Sequence, residues 1–181
     1  MPLFGVTKKN RCDRINLIKT RLTKREIMTS EPTKPALEIR EARSDADYHM
    51  AYPVIRQLFP QLDMQTYARR VFVARATGYR MFVGVVEKQV VGVIGVIANH
   101  NLHDGFVTYI EHVVVDKKHR GNGYGSRLIT FAEDRAREEG CYLIELDTDI
   151  GADKAANLYE SSGYKKSGDY YFKQLRDGSA E

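Results

Sequence analysis

Tryptophan is absent from this chain of 181 residues, and cysteine and proline are scarce, at two and five residues. The two cysteines, Cys12 and Cys141, are far apart and form no C-x-x-C pair, so a disulfide scaffold is not expected. Two free thiols favour a reducing, cytoplasmic location. No apolar run approaches the roughly 18 residues that cross a bilayer. The longest, Val90 to Ala98, contains two glycines and is typical of a buried strand.

The composition, at 43% hydrophobic and 29% charged residues, is that of a globular domain. Positive charge is concentrated at one end. Residues 1–25 contain eight lysines and arginines against Asp13 alone, so their net charge is +7. The whole chain has a net charge of +4, and the remaining residues therefore carry −3. The basic character therefore belongs to the N-terminal segment and not to the predicted domain.

This basic arm has several interpretations. It could contact nucleic acid or a membrane surface, act as an Arg-rich organellar presequence, or be a solvated extension ahead of a later start at Met28. A polar stretch with two prolines, residues 29–35, follows it and is typical of a linker. We therefore expect an extension and linker over residues 1–35, a domain over 36–176 and a tail over 177–181.

The first half of the domain combines one strand with two helices. Ala36 to Glu41 alternates apolar and polar residues, as a strand does. Ser44 and Asp47 have the spacing of a helical capping box, although Pro53 limits how early that helix can begin. Asp63 is the predicted cap of a second helix.

The second half is dominated by strands. Two β-branched runs, Arg80 to Glu87 and Val90 to Ala98, predict a hairpin that turns at Lys88-Gln89. The polar segment Asn99 to Gly105 is predicted to be a loop. The remaining predicted elements are a strand over Phe106 to Val115, a helix over Ser126 to Gly140, a buried strand over Cys141 to Leu146, a helix over Ala152 to Ser162 and closing aromatic strands over Tyr164 to Leu175. The order β-α-α-β-β-β-α-β-α-β predicts an α/β fold with a mixed sheet and helices on both faces.

A glycine-rich loop lies between the strand that ends at Val115 and the following helix. Its sequence, Arg120-Gly121-Asn122-Gly123-Tyr124-Gly125, fits R-x-x-G-x-G. A helix N-terminus with glycines before it is suited to an anion such as a pyrophosphate. The spacing matches neither a Walker loop nor a dinucleotide-binding loop. A glycine-rich turn without any ligand is the alternative.

This loop resembles the pyrophosphate loop of the GNAT superfamily of acetyltransferases. A second segment, Ala155 to Tyr164, resembles the family's Asn-x-x-Tyr-like helix that ends in Gly-Phe or Gly-Tyr. The resemblance covers roughly residues 37–175. It implies the GNAT-like acyl-CoA N-acyltransferase fold and acetyl-CoA as co-substrate.

The resemblance also implies a site. Backbone groups of the loop would hold the pyrophosphate, the strand end would pair with the pantetheine arm, and an N–H near Val114 could polarise the thioester carbonyl. Glu111, taken to lie on the same strand face as Val113, would be the base, and Tyr159 would protonate the leaving thiolate. The implied cofactor-binding residues are Val113, Val114, Val115, Arg120, Gly121, Asn122, Gly123, Tyr124, Gly125, Ser126 and Asn157.

Each role has an alternative. Glu111 could orient the substrate or face solvent, Tyr159 could be a buried structural tyrosine, and Tyr124 could pack the loop or contact the adenine side. His112 is expected to point to the opposite face from Glu111. The spacing of the histidines fits no strong zinc pattern, so no metal is expected.

The expected activity is transfer of an acetyl group from acetyl-CoA to a primary amine of a small molecule in a ternary complex. Asn99 to Asp104 loosely resembles the corresponding loop of aminoalkylphosphonate acetyltransferases, and the acidic residues Asp104 and Asp149 would also suit a polyamine-like acceptor. The alternatives are a protein lysine or N-terminal acetyltransferase and a non-catalytic acetyl-CoA-binding module. A nucleic-acid partner depends on the basic arm alone, no membrane partner is expected, and a homodimer is possible.

Overall fold

The computed structural model describes residues 36–149, 152–168, 171 and 173–175, and in these it contains a five-stranded sheet with four helices. The strands are β1 (Glu38–Glu41), β2 (Tyr79–Val86), β3 (Gln89–Asn101), β4 (Gly105–Val115) and β5 (Leu143–Leu146). The helices are α1 (Asp45–Ile55), α2 (Met64–Ala76), α3 (Tyr124–Glu138) and α4 (Asp153–Ser161), with a 3₁₀ turn at Lys117–His119. The predictions for residues 1–35 and 177–181 fall outside the described residues, so the domain boundaries stay predictions.

The sheet is mixed, as the sequence predicts. Its order is β1-β2-β3-β4-β5, with antiparallel neighbours throughout except for the parallel pair β4 and β5. Helices α1 and α2 cover one face, where Ala51 and Tyr67 pack with Val93 and Val114. Helix α3 covers the other face, where Leu128 packs with the strands. The prediction of helices on both faces is therefore confirmed.

Local sequence signals set the start of both α1 and α2. The Ser44 hydroxyl caps the N–H of Asp47, whose carboxylate accepts the N–H of Ser44, and this completes the predicted capping box. Asp63 caps α2. Pro53 lies inside α1 and does not delay its start, contrary to the prediction. A proline removes one helical hydrogen bond, and here the cap and the burial of Ala51 offset that loss.

The two hairpins differ from their predicted limits. Glu87 and Lys88 form the turn of the first, with φ of 49° and 67°, one residue earlier than predicted. In the second, β3 and β4 continue through most of the segment predicted to be a loop, which leaves only residues 102–104 as the turn. The ring of His100 stacks on that of Phe106 at 4.5 Å, and this cross-strand contact stabilises polar residues in a ladder.

Pairing of β3 with β4 shifts by one residue at Glu111. Gly95 lies opposite His112, whereas the next residue of β3 lies opposite Ile110, so Glu111 occupies a β-bulge. The alternation of faces restarts there, because Ile110 and Val113 both pack toward α3. The unbroken alternation by which Glu111 is predicted to share a face with Val113 therefore does not hold.

The C-terminal part departs furthest from the prediction. Strand β5 begins at Leu143, two residues later than expected, and its residues are half-buried or exposed instead of buried. Among the described residues of the segment predicted to form closing strands (164–168, 171 and 173–175), none lies in a strand. Residues 169, 170 and 172 are outside the described part of the chain.

Candidate functional site

A gap opens between β4 and β5, the last two strands of the sheet. The two strands pair only from Val107 with Leu143 to Ile110 with Leu146. Beyond that point β4 continues to Val115 with β3 as its one partner strand in the described residues. Backbone N–H and C=O groups on the β5 side of this stretch are left outside the ladder, and unpaired strand edges readily bind an extended chain.

Val113, Val114 and Val115 lie along this gap. The side chain of Val114 is buried under α1 and α2, and those of Val113 and Val115 pack toward α3. The carbonyl oxygen of Val115 accepts a hydrogen bond of 3.0 Å from Nε of Arg120. Arg120 therefore ties the glycine-rich loop to the end of β4.

The loop delivers an open helix N-terminus to the end of the gap. Gly121 and Gly123 have φ of 79° and 75°, which glycine adopts readily and other residues do not. A Cβ at either position would meet no atom within 4 Å, so the surface above them is open. Gly123 is the N-cap of α3 and supplies no side-chain cap. The first N–H groups of α3 therefore remain available to an anion.

Asn122 and Tyr124 serve the loop itself. The Asn122 side-chain amide donates to the carbonyl of His119, 3.0 Å away. The ring of Tyr124 is buried against Leu37 and Val91. Of the two roles considered for Tyr124, packing is the one this position supports.

Gly125 has a different reason to be glycine. A Cβ there would lie 3.2 Å from Cδ2 of Leu158 and 3.8 Å from Cγ2 of Val115. This close approach brings α4 against the N-terminus of α3 and the end of β4. Ser126 is exposed in the first turn of α3.

Helix α4 places Asn157 and Tyr159 on either side of Leu158. Asn157 is exposed, and Tyr159 is half-buried with its ring 6.1 Å from that of Tyr164. Burial raises the pKa of Tyr159, and the nearby carboxylate of Asp147 raises it further. The hydroxyl is therefore protonated at neutral pH, as a proton donor must be.

His112, next to the bulge, lies on the side of α1 and α2 and not on that of Val113, as predicted. Its Nε2 shares a hydrogen bond of 3.1 Å with the hydroxyl of Tyr79. Burial lowers the pKa of His112 to about 4, so the ring is neutral near pH 7. Burial also raises the pKa of Tyr79 well above its ordinary value, with smaller contributions from Tyr67 and the carboxylate of Glu111.

The Glu111 side chain is exposed at the bulge. The structure thus brings the end of β4, the glycine-rich loop and the Leu158 turn of α4 into contact, with Glu111 at the start of the gap.

The strand that separates from its neighbour and the uncapped, glycine-rich helix N-terminus both lie in a segment whose sequence matches a known family. The model of the acetyltransferase (GNAT) family matches residues 38–164. The chain belongs to the GNAT family of acetyltransferases. It is therefore an acyltransferase, and its fold is the GNAT fold.

The chain is also similar to individual proteins. An aminoalkylphosphonate N-acetyltransferase of Salmonella typhimurium is 33% identical over 143 residues, which are 76% of this chain and 90% of that protein. Among solved structures, a transcriptional regulator from Bacillus halodurans is similar with a TM-score of 0.67 and 25% identity, over 77% of this chain and all of that one.

An aminoglycoside N-acetyltransferase in complex with CoA is similar with a TM-score of 0.71. Its identity is 16%, over 81% of this chain and 99% of that chain, so the likeness concerns the fold. The bound CoA is a property of that protein.

Two features of this GNAT protein escaped the sequence analysis. The Tyr79–His112 pair joins residues 33 positions apart, and a contact between Gln57 and Asp116 joins residues 59 positions apart. Neither pair has a local sequence signal, because the contacts arise only when the strands and helices pack.

The described residues contain neither a metal-ligand cluster nor a membrane-spanning helix. Their His, Cys, Asp and Glu side chains form no group of three that could hold a metal ion. Within the same residues, no helix has both the length and the apolar character needed to span a membrane.

Proposed function

We propose that this protein transfers the acetyl group of acetyl-CoA to the primary amine of a small molecule, by direct attack of the amine in a ternary complex. The observation that carries the proposal is the gap where β4 separates from β5 and leads directly to the uncapped N-terminus of α3. An extended pantetheine arm with a pyrophosphate at its end has the shape and charge that this combination accommodates.

The cofactor-binding roles follow from that placement. Backbone N–H groups of residues 121–126 would bind the pyrophosphate, with Tyr124 contributing its N–H because its ring is buried. The backbone of residues 113–115 would pair with the pantetheine arm, and an N–H near Val114 would polarise the thioester carbonyl. Arg120 would hold the loop to β4 and Asn157, exposed on α4, would contact the arm.

Two side chains would move protons. An alkyl ammonium group has a pKa of about 10, so the attacking amine needs a base, and Glu111 is the proposed one, directly or through water. Tyr159 is the proposed acid for the departing thiolate, consistent with its protonated hydroxyl. The nitrogen–carbon bond forms as the carbon–sulfur bond breaks, the amine gives up a proton and the thiolate gains one.

The proposed acceptor is an aminoalkylphosphonate or another small amine. The named relative from Salmonella typhimurium, which covers three quarters of the chain, supports the first. A protein lysine or N-terminal acceptor and a non-catalytic acetyl-CoA-binding module are the alternatives. We place the enzyme in the cytoplasm, because the sequence has two cysteines only and Cys141 is free.

The test is an acceptor screen with two readouts. Purified protein is mixed with acetyl-CoA and with 2-aminoethylphosphonate, a polyamine or a lysine peptide, and free thiol and acetylated product are both measured. Product with an aminoalkylphosphonate supports the proposal. Product with the peptide alone favours the protein acetyltransferase, and binding of acetyl-CoA without product from any amine favours the binding module.

A further inference from the structure

A glutamine outside the cofactor loop forms hydrogen bonds with the segment 116–119, which leads into the loop and which we call the loop entrance. Gln57 lies in the turn that follows α1, and its side-chain amide is used at both ends. Oε1 accepts the N–H of Lys117 at 2.9 Å, and Nε2 donates to Oδ1 of Asp116 at 3.3 Å. The helical layer is thereby bonded to the first two residues after β4.

Asp116 is the centre of this contact. It is 8% exposed, and its N–H donates to the carbonyl of Val91 on β3. Its carboxylate accepts the N–H of Lys118 at 3.0 Å and Nδ1–H of His119 at 3.3 Å. Burial alone would raise the pKa of Asp116, but hydrogen bonds from Lys118, Gln57 and His119 outweigh it and lower the pKa. The carboxylate is therefore ionised and fixed.

The bonds continue from Asp116 into the glycine-rich loop. His119 accepts from the Asn122 side chain, and Arg120 donates back to Val115. Gly121 and Gly123 have no atom within 4 Å of a would-be Cβ, so the tip of the loop has little packing of its own. The position of the loop therefore depends on the hydrogen bonds of the loop entrance. Gln57 provides those that come from the helical layer.

We propose that Gln57 is a positioning residue for the acetyl-CoA loop, which acts through Lys117 and Asp116 to hold the loop in the conformation that binds the pyrophosphate. This inference rests on the proposed function. A loop ordered before binding costs less to order on binding, so the effect falls on cofactor affinity. Within the described residues, the side-chain hydrogen bonds of Gln57 go to Asp116 and Lys117, and not to the loop glycines or the proposed catalytic side chains.

Two substitutions of Gln57 test its two hydrogen bonds. Gln57→Met removes both while nearly keeping the side-chain volume. Gln57→Glu keeps the acceptor for Lys117 and sets a carboxylate against that of Asp116. The matched control is Gln65→Glu, which places the same charge on an exposed glutamine of α2. Calorimetry with CoA as probe gives Kd, and steady-state kinetics give kcat and the KM of each substrate.

The expected result is a Kd for CoA and a KM for acetyl-CoA about tenfold higher in both Gln57 variants, the size expected for losing one to two hydrogen bonds. We expect kcat and the acceptor KM to stay within about twofold, and Gln65→Glu to match the wild type. Unchanged CoA affinity in Gln57→Met, or a loss of kcat at constant KM, would overturn the inference.

A measurement on the wild type covers the case in which the variants do not fold. Without CoA, the amide protons of Lys117 and Lys118 should exchange at least tenfold more slowly than that of Gly121. Equal exchange would contradict a fixed entrance. A wild-type protein that binds no CoA would instead refute the proposed function, so the two failures are distinguishable.

Discussion

Gly95 is the residue on which the packing beside the bulge depends. The Tyr79–His112 pair fills the space above it, and a Cβ would lie 2.5 Å from Cε1 of His112 and 2.6 Å from the Tyr79 hydroxyl. Real Cβ atoms do not approach so closely, so even alanine must push the hydrogen-bonded rings apart. The absence of a side chain at this position thus lets a neutral histidine and a protonated tyrosine pack next to Glu111.

Gly95→Ala is therefore expected to lower the free energy of unfolding by about 1–3 kcal/mol, the usual cost of overpacking. Denaturant unfolding measures it. Gly168→Ala is the control, because a Cβ there meets no atom within 4 Å. Equal stability of the two variants would show that the rings yield without cost.

Tyr159 allows a test of the proposed acid. Tyr159→Phe keeps the ring and its packing on α4 but removes the hydroxyl, so turnover should fall at least tenfold while the Kd for acetyl-CoA changes less than about twofold. Turnover and calorimetric Kd are measured side by side. Tyr142→Phe, which removes an exposed hydroxyl ahead of β5, is the control. If turnover is unaffected, Tyr159 is not the acid.

Glu111 allows a test of the proposed base. In Glu111→Gln the amine must lose its proton without a carboxylate, so the alkaline rise of the pH–rate profile should shift upward, toward the pKa of the free amine at about 10. Rates from pH 6 to 10 measure this, with Glu38→Gln on β1 as a control. A profile that coincides with that of the wild type would make Glu111 a structural carboxylate.

At the scale of elements, periodicity in the sequence predicts most helices and strands. Leu128, Ile129, Ala132 and Ala136 form one buried face of α3, as their spacing indicates. What periodicity misses depends on partner strands. The bulge at Glu111 is a shift in the pairing of β3 with β4. The polar residue His100 is typical of a loop in sequence, yet it lies in a strand where its ring stacks on that of Phe106 in the neighbouring strand.

In the candidate site too, some residues can be predicted from local sequence and others only from contacts between distant segments. The loop motif and the α4 motif are local in sequence, so residues 120–126, Asn157 and Tyr159 could be proposed without a structure. Gln57 and the Tyr79–His112 pair could not, since they act through contacts between distant segments. Tyr124 shows the limit of a motif, because its place in the loop does not reveal that its ring is buried.

Binding of the cofactor should change amide exchange differently in the two halves of β4. Acetyl-CoA is expected to slow amide exchange at least tenfold for some N–H groups of residues 111–115 and of the loop at 121–126, because these gain a partner. The amides of Val107 to Ile110 already pair within the sheet on both sides and should change little. Hydrogen exchange with and without acetyl-CoA measures both halves, and a uniform response would contradict binding in the gap.

At the scale of the whole molecule, membership of the GNAT family follows from a match over residues 38–164 and from the relatives reported above. The acceptor does not follow from the fold, because one GNAT fold serves acceptors of different chemistry.

The most direct test of the whole account is calorimetric titration of acetyl-CoA into the wild type, Ser126→Glu and Ser126→Gln. A glutamate in the first turn of α3 suits the helix dipole, so the fold should be intact, yet its charge would repel a pyrophosphate at the helix N-terminus. The glutamine variant has the same size without the charge. If the pyrophosphate binds there, we expect micromolar binding by the wild type, near-wild-type binding by Ser126→Gln and at least a thirtyfold loss of affinity in Ser126→Glu. Equal affinity in all three, or no binding by the wild type, would contradict it.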